Sequence, residues 1–317
     1  MNIKLNEKIS GALYGLAIGD ALGVGAEFMS REEVSYRYPN GLRDYEDIYQ
    51  DAHRNQWKPG EWTNDTEVTL RMIESVLETG KLDVGCVARK FKEWYKENPK
   101  DMVSNLRQIL NHPDYEDSPE DVARAVWLDM GGTDASNEAN SRSPFVGWAK
   151  ENHREAGARI CAITHADPRC IASNVALAEM GHDLFWNDRV TDAQTLIDIV
   201  SDIDDRVVPY IRMAQNDTLE ELDLDDSETY WYTRKTMAAA LWAVWKDLTP
   251  MEAFDAIFRE GGDVDTNACL ALSLLGMKSG PDAFPENLRE SLVEKKRLDR
   301  LADALTEYFI NLGYEER

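Results

Sequence analysis

The chain has 317 residues, 43% hydrophobic and 30% charged, which is long enough and apolar enough to bury a substantial core. Lys and Arg total 35 against 59 Asp and Glu, a formal net charge of -24; such a surface repels phosphate backbones and argues against a nucleic-acid partner. Cys86, Cys161, Cys170 and Cys269 lie far apart with no paired spacing; a disulfide framework or zinc knuckle needs closer or paired spacing, and buried reduced thiols are the better reading.

The opening "MNIKLNEKIS" has no apolar signal core, and the following "ISGALYGLAIGDALGVGAEF" is broken by Asp20 and rich in Gly and Ala. It reads as a closely packed buried helix over 7–22 rather than a membrane span, so no membrane partner and a cytoplasmic address are expected. A second helix is expected over 66–79, and a third in "VGCVARKFKEWYKENP", stopping near Pro99. "SPEDVARAVWLDMG" has Ser118 as cap, Pro119 at the first position and a stop at Gly131. Two helices flank "THADP", with Pro168 opening the second, which runs to about Phe185.

Further helices are expected in "DAQTLIDIVSDI" and in "TYWYTRKTMAAALWAVWKDL", whose aromatics suit core packing better than base stacking. "DTNACLALSLLGMKSG" follows, and the tail sets Leu298, Leu301, Leu305, Phe309 and Leu312 on one stripe. Strand alternation is nearly absent. The expected fold is all-α, a single compact multi-helix domain over 1–317 without a clear linker or repeat. Three stretches have no period: 36–62, a long polar loop over 131–149, and an acidic run over 216–229. The last lacks the glycine of a calcium loop, with Glu228 in its place, and reads as a solvated loop.

Chemistry concentrates at two helix starts. In "GEWTNDTEVTLRMIESVLETG", residues 60–80, Thr63, Asn64, Asp65 and Thr66 precede an apolar face. By itself this reads first as a cap, because Thr, Asn and Asp satisfy the free N–H groups of a helix start. "EGGDVDTNACLALSLLG", residues 260–276, repeats the grammar with Asp263, Asp265 and Thr266 after two glycines. Residues two apart do not share a helix face, but in a turn both carboxylates can converge. Two such turns supply oxygen donors for a hard divalent cation, Mg²⁺ or Mn²⁺, whereas zinc would bring His or Cys. Asp20 between glycines, and Glu27 beyond them, form a third candidate turn, with plain packing an equal alternative for both.

These motifs resemble those of the ADP-ribosylglycohydrolase family. Gly11, Gly15, Gly19, Asp20, Ala21 and Gly23 match its G-x-x-x-G-x-x-x-G-D-A-x-G pattern; Thr63 to Thr66 match T-D-D-T with Asn64 in place of the first Asp. Gly261 to Thr266 match G-G-D-x-D-T in full. The resemblance implies an all-α fold and two Mg²⁺ or Mn²⁺ ions per chain. It makes Thr63, Asn64, Asp65, Asp263, Asp265 and Thr266 metal-site residues and Asp65, Glu27 and Asp265 catalytic. In "NEANSRSPF", Asn137 and Arg142 survive from a phosphate- and ribose-wrapping loop that here loses its glycine and methionine, and His165 of "THADP" resembles a ligand-pocket residue. A lone His before a helix serves equally as a structural hydrogen-bonder.

The implied reaction is metal-dependent hydrolysis of the glycosidic bond linking ADP-ribose to a protein side chain or related acceptor. The substrate partner is then an ADP-ribosylated protein or a small ADP-ribosyl compound. Asn64 is neutral and cannot act as a general base, which opens the alternative of a non-hydrolytic ADP-ribose or nucleotide-binding protein. A Mg²⁺-dependent phosphohydrolase or isoprenoid-type enzyme would show a D-D-x-x-D cluster or His-Asp pairs, and this chain has neither at convincing spacing. A metal-free carboxylate pair of the sugar-hydrolase kind leaves the Asp-Thr turns unexplained.

Overall fold

In the computed structural model, which describes residues 3–314, every regular element is a helix. The order is α1 (Leu5–Gly23), α2 (Arg31–Arg37), α3 (Asn64–Thr79), α4 (Val84–Lys96), α5 (Ser104–Asn111), α6 (Pro119–Asp129), α7 (Ser143–Val146) and α8 (His153–Ala162). There follow α9 (Pro168–Asn187), α10 (Ala193–Val200), α11 (Val208–Met213), α12 (Thr233–Trp245), α13 (Pro250–Glu260), α14 (Val264–Ser279), α15 (Glu286–Glu290) and α16 (Lys295–Asn311). Among the described residues β pairing is limited to two isolated bridges, Met29 with Gly262 and Ser136 with Tyr232. The fold is all-α, as expected. The chain divides into two compact units, one of residues 1–63, 212–231 and 238–317, the other of residues 64–211 and 232–237.

The first unit is built on α1 against α14. Glycines recur every fourth residue on α1, and a helix brings residues at that spacing onto one face. A Cβ placed at Gly11, Gly15, Gly19 or Gly23 would lie 2.1 Å from Gly276 O, 2.0 Å from Leu272 O, 2.6 Å from the Ala268 carbonyl or 2.4 Å from Asp265 Cα. Backbone therefore meets backbone along the whole contact. On another side of α1, the Tyr14 hydroxyl donates to Asp299 of α16 at 2.5 Å. The α16 stripe is buried at Leu298, Leu301, Leu305 and Phe309, while Leu312 lies past the helix end and is exposed.

The second unit centres on α9, whose Gly181 admits Pro144 of α7 in the same manner: a Cβ there would sit 2.3 Å from Pro144 O. The polar loop expected over 131–149 is largely buried, and the short helix α7 lies within it. Asn137, Asn140, Ser141, Arg142 and Ser143 are each 2% exposed or less. Asn140 Nδ2 donates to Thr233 O at 2.7 Å, Asn174 Nδ2 to Asn140 Oδ1 at 3.0 Å, and Asn137 Nδ2 to Thr236 Oγ1 at 2.8 Å. Polar side chains enter a core when they satisfy one another.

The same network sets where α12 begins. Thr233 N–H donates to Ala135 O at 2.9 Å, so the helix starts there and Tyr230, Trp231 and Tyr232 precede it rather than lying on it. Ser118 makes no side-chain cap bond although Pro119 opens α6. The acidic 216–229 run buries Leu219, Leu222 and Leu224, and Asp225 accepts from the Arg31 N–H at 2.9 Å.

Candidate metal centre

Three chain segments of the first unit bring carboxylates together. The α1 contact ends at Gly23, pressed on Asp265 Cα, and the following turn carries Glu27. Phe28 N–H donates to Gly262 O at 2.7 Å and Gly262 N–H to Met29 O at 2.8 Å, locking the Glu27 turn beside the start of α14. Gly261 and Gly262 hold φ of +70° and +75°, and a Cβ at Gly262 would lie 1.9 Å from Leu224 O, so only glycine fits. Arg54, 5% exposed, ties down the other side of the turn, donating from Nε to Gly25 O at 2.9 Å and from Nη2 to Glu27 O at 2.5 Å.

Glu27, Asp263 and Asp265 are 7%, 6% and 3% exposed, and each offers a carboxylate oxygen within 4.8 Å of the others. Asp263 occupies the N-cap position of α14 yet makes no side-chain cap bond; its Oδ1 accepts from Thr266 Oγ1 at 3.2 Å. Thr266 N–H donates to Asp265 Oδ1 at 2.9 Å. Capping therefore does not account for Asp263. His53 Nε2 lies 2.6 Å from Glu27 Oε2. Burial pushes the Glu27 carboxyl up, the Asp263 charge adds to this, and His53 and Arg54 pull it down. An all-oxygen donor set with concentrated negative charge fits one hard divalent cation and does not suit zinc.

Asp20, fully buried, accepts from the Thr63 N–H at 2.9 Å, so it braces the chain where α3 is about to start. Asn64, Asp65, Asn137, Arg142 and His165 belong to the second unit. There Asn64 Nδ2 donates to Glu138 Oε1 at 3.4 Å, and His165 Nε2 lies 3.3 Å from Glu138 Oε2. Arg142 donates from Nη2 to Thr164 Oγ1 at 2.5 Å and to Ile160 O at 3.1 Å, with its guanidinium 5.3 Å over the Phe91 ring. Asn64, Glu138, Arg142 and His165 line one small cavity floored by Phe91 and Trp94. Asn137 lies in the buried network instead.

Sequence reading missed two residues that hold the Glu27 turn, His53 and Arg54, and the ring contact of Phe28 with Tyr230 beside it. His53 and Arg54 sit in the aperiodic 36–62 stretch, where no spacing marks them. Phe28 carried one signal, its place next to Glu27.

A family model described as ADP-ribosylglycohydrolase matches residues 1–314, and the chain belongs to that family as a hydrolase of its type. It is 26% identical over 317 residues to the ADP-ribosyl-[dinitrogen reductase] glycohydrolase of Rhodospirillum rubrum, covering 95% of this chain and 96% of that one. It is 24% identical over 316 residues to the ADP-ribosylarginine hydrolase Tri1 of Serratia proteamaculans, covering 94% and 79%. A solved structure titled ADP-ribosylglycohydrolase-related protein complex shares the fold, with a TM-score of 0.70 at 24% identity over 96% of this chain and 98% of that one. No described helix is long and apolar enough to cross a membrane.

Proposed function

We propose that this protein hydrolyses the glycosidic bond joining ADP-ribose to an arginine side chain of a modified protein. The observation that carries the reading is the buried Glu27, Asp263 and Asp265 triad. Arginine as the acceptor is supported by the two relatives named as ADP-ribosylarginine hydrolases, at 24% and 22% identity. Glu27, Asp263 and Asp265 would hold a Mg²⁺ or Mn²⁺ ion, which supplies Lewis-acid polarisation and neutralises clustered charge. A second ion, and the roles of Thr63, Asn64, Asp65 and Thr266 toward it, rest on the family resemblance alone, as do those of Asn137, Arg142 and His165 toward ADP-ribose.

The chain's own contribution is electrostatic and positional. Cleavage develops positive charge at ribose C1, and buried carboxylates held by His53, Arg54 and Thr266 stabilise it without having to reorganise. The whole of 1–317 is read as one functional domain, working in the cytoplasm, where four free buried thiols stay reduced.

The test is release of ADP-ribose from peptides modified at arginine or at serine, with EDTA and with added Mg²⁺ or Mn²⁺. Release from the arginine peptide, lost in EDTA and restored by metal, is expected. Release from the serine peptide alone would reject the acceptor. Tight binding of ADP-ribose with no release from either would return the chain to the non-hydrolytic alternative.

A further inference from the structure

Phe28 has φ of +63°, a left-handed conformation that is an outlier for a bulky residue. Its ring is 52% exposed, so burial does not repay the strain. The hydrogen bond from its N–H to Gly262 O fixes the backbone, and the ring joins a row of others within the first unit. It lies 5.5 Å from the His53 ring and 5.4 Å from Tyr230, which meets Trp231 edge-on at 4.6 Å. Trp231 is 37% exposed. Gly262 seats Tyr230, since a Cβ there would be 3.2 Å from Tyr230 Cβ.

We propose that Phe28, Tyr230 and Trp231 form a platform that receives the guanidinium of the acceptor arginine while the ribose is held at the triad. The proposal rests on the arginine reading above and names the surface that recognises that side chain. Charge selects the ligand. The row begins at the residue after Glu27, and its Tyr230 hydroxyl is held protonated by burial and by the charges of Asp263 and Glu27. Aromatic faces beside carboxylates favour a planar cation and disfavour an anion. A serine acceptor has no cation or plane to offer such rings. Phe28 in the left-handed region keeps its ring out on the solvent side of the row, where a protein-borne side chain can reach it.

The experiment measures KM for ADP-ribosylarginine and the inhibition constant of free ADP-ribose in Mn²⁺-loaded wild type, Phe28→Leu and Trp231→Leu. The expected result is a KM raised about ten-fold or more, with the ADP-ribose constant moving less than about two-fold. Phe28→Tyr should restore the wild-type KM. Phe28→Gly removes the ring and also relieves φ, so it keeps the test open if Phe28→Leu fails to fold. An unchanged KM in folded variants overturns the platform, and so does a parallel rise in both constants, which would place the rings on the ADP-ribose part. Failure of the parent reading looks different: wild type itself would not turn over ADP-ribosylarginine.

Discussion

At Asp265, fold and chemistry separate. Its Oδ1 accepts the N–H of Thr266, the residue that follows it, and its Cα is pressed by Gly23, yet its carboxylate faces two others. In metal-free protein three close buried carboxylates repel, so Asp265→Asn should raise the metal-free Tm slightly. With Mn²⁺ it should abolish the metal-induced gain in Tm and lower turnover about 100-fold or more. Calorimetric Mn²⁺ titration beside the activity assay checks both, and wild-type metal affinity in the variant would remove Asp265 from the centre. The aspartates were legible because G-G-D-V-D-T is continuous in sequence. His53 was not, because its bond to Glu27 joins residues 26 apart across a segment without periodicity. Arg142 and Asn137 read as ligand-loop residues; in the structure both are buried, Arg142 donating from Nη2 to Ile160 O and Asn137 from Nδ2 to Thr236 Oγ1.

Among the elements, α1 and α14 carry the sharpest test. Alanine normally improves a helix over glycine by about 1 kcal/mol. Gly85, exposed on α4 with nothing closer than 3.5 Å to its added Cβ, should follow that rule, and Gly85→Ala should stabilise by about 0.5–1 kcal/mol. Gly15→Ala should reverse the sign, losing about 2 kcal/mol or more, since the Cβ meets Leu272 backbone atoms that no rotamer can move aside. Urea unfolding of both variants decides it. The glycine spacing and most long helices were readable from period and caps. α13 was missed, although Thr249 and Glu252 form a capping box ahead of its apolar face. The burial of the 131–149 stretch was not legible because a polar sequence looks the same whether water or other side chains satisfy it.

For the molecule as a whole, stability should depend on pH through a carboxylate of the second unit. Burial alone would raise the Glu179 carboxyl, but His153 and Arg154 bond to it and lower it from the ordinary 4.5 to about 2. Its ionised form therefore stabilises the fold above about pH 4.5, and that contribution disappears as pH falls toward 2. Glu179→Gln should cost about 1–3 kcal/mol at neutral pH and less with each step down through this window, converging on wild type near pH 2. Thermal melts across pH 2–7 measure the convergence; parallel curves would exclude it. A metal held at the triad would add a second global term, so EDTA should lower the wild-type Tm.

The α1 and α14 contact also sets what can move. Two helices with no side chains between them at four successive levels cannot roll or slide by exchanging rotamers. Glu27 and the two aspartates stand at one end of this joint and would act as an anvil, unchanged while a ligand arrives. Any closing motion in the first unit would have to come from parts outside this contact, such as the 216–231 segment and the exposed Phe28 ring. The amide protons of α1 and α14 should consequently leave only when the entire unit unfolds, and ligand should slow exchange in 216–231 without altering theirs.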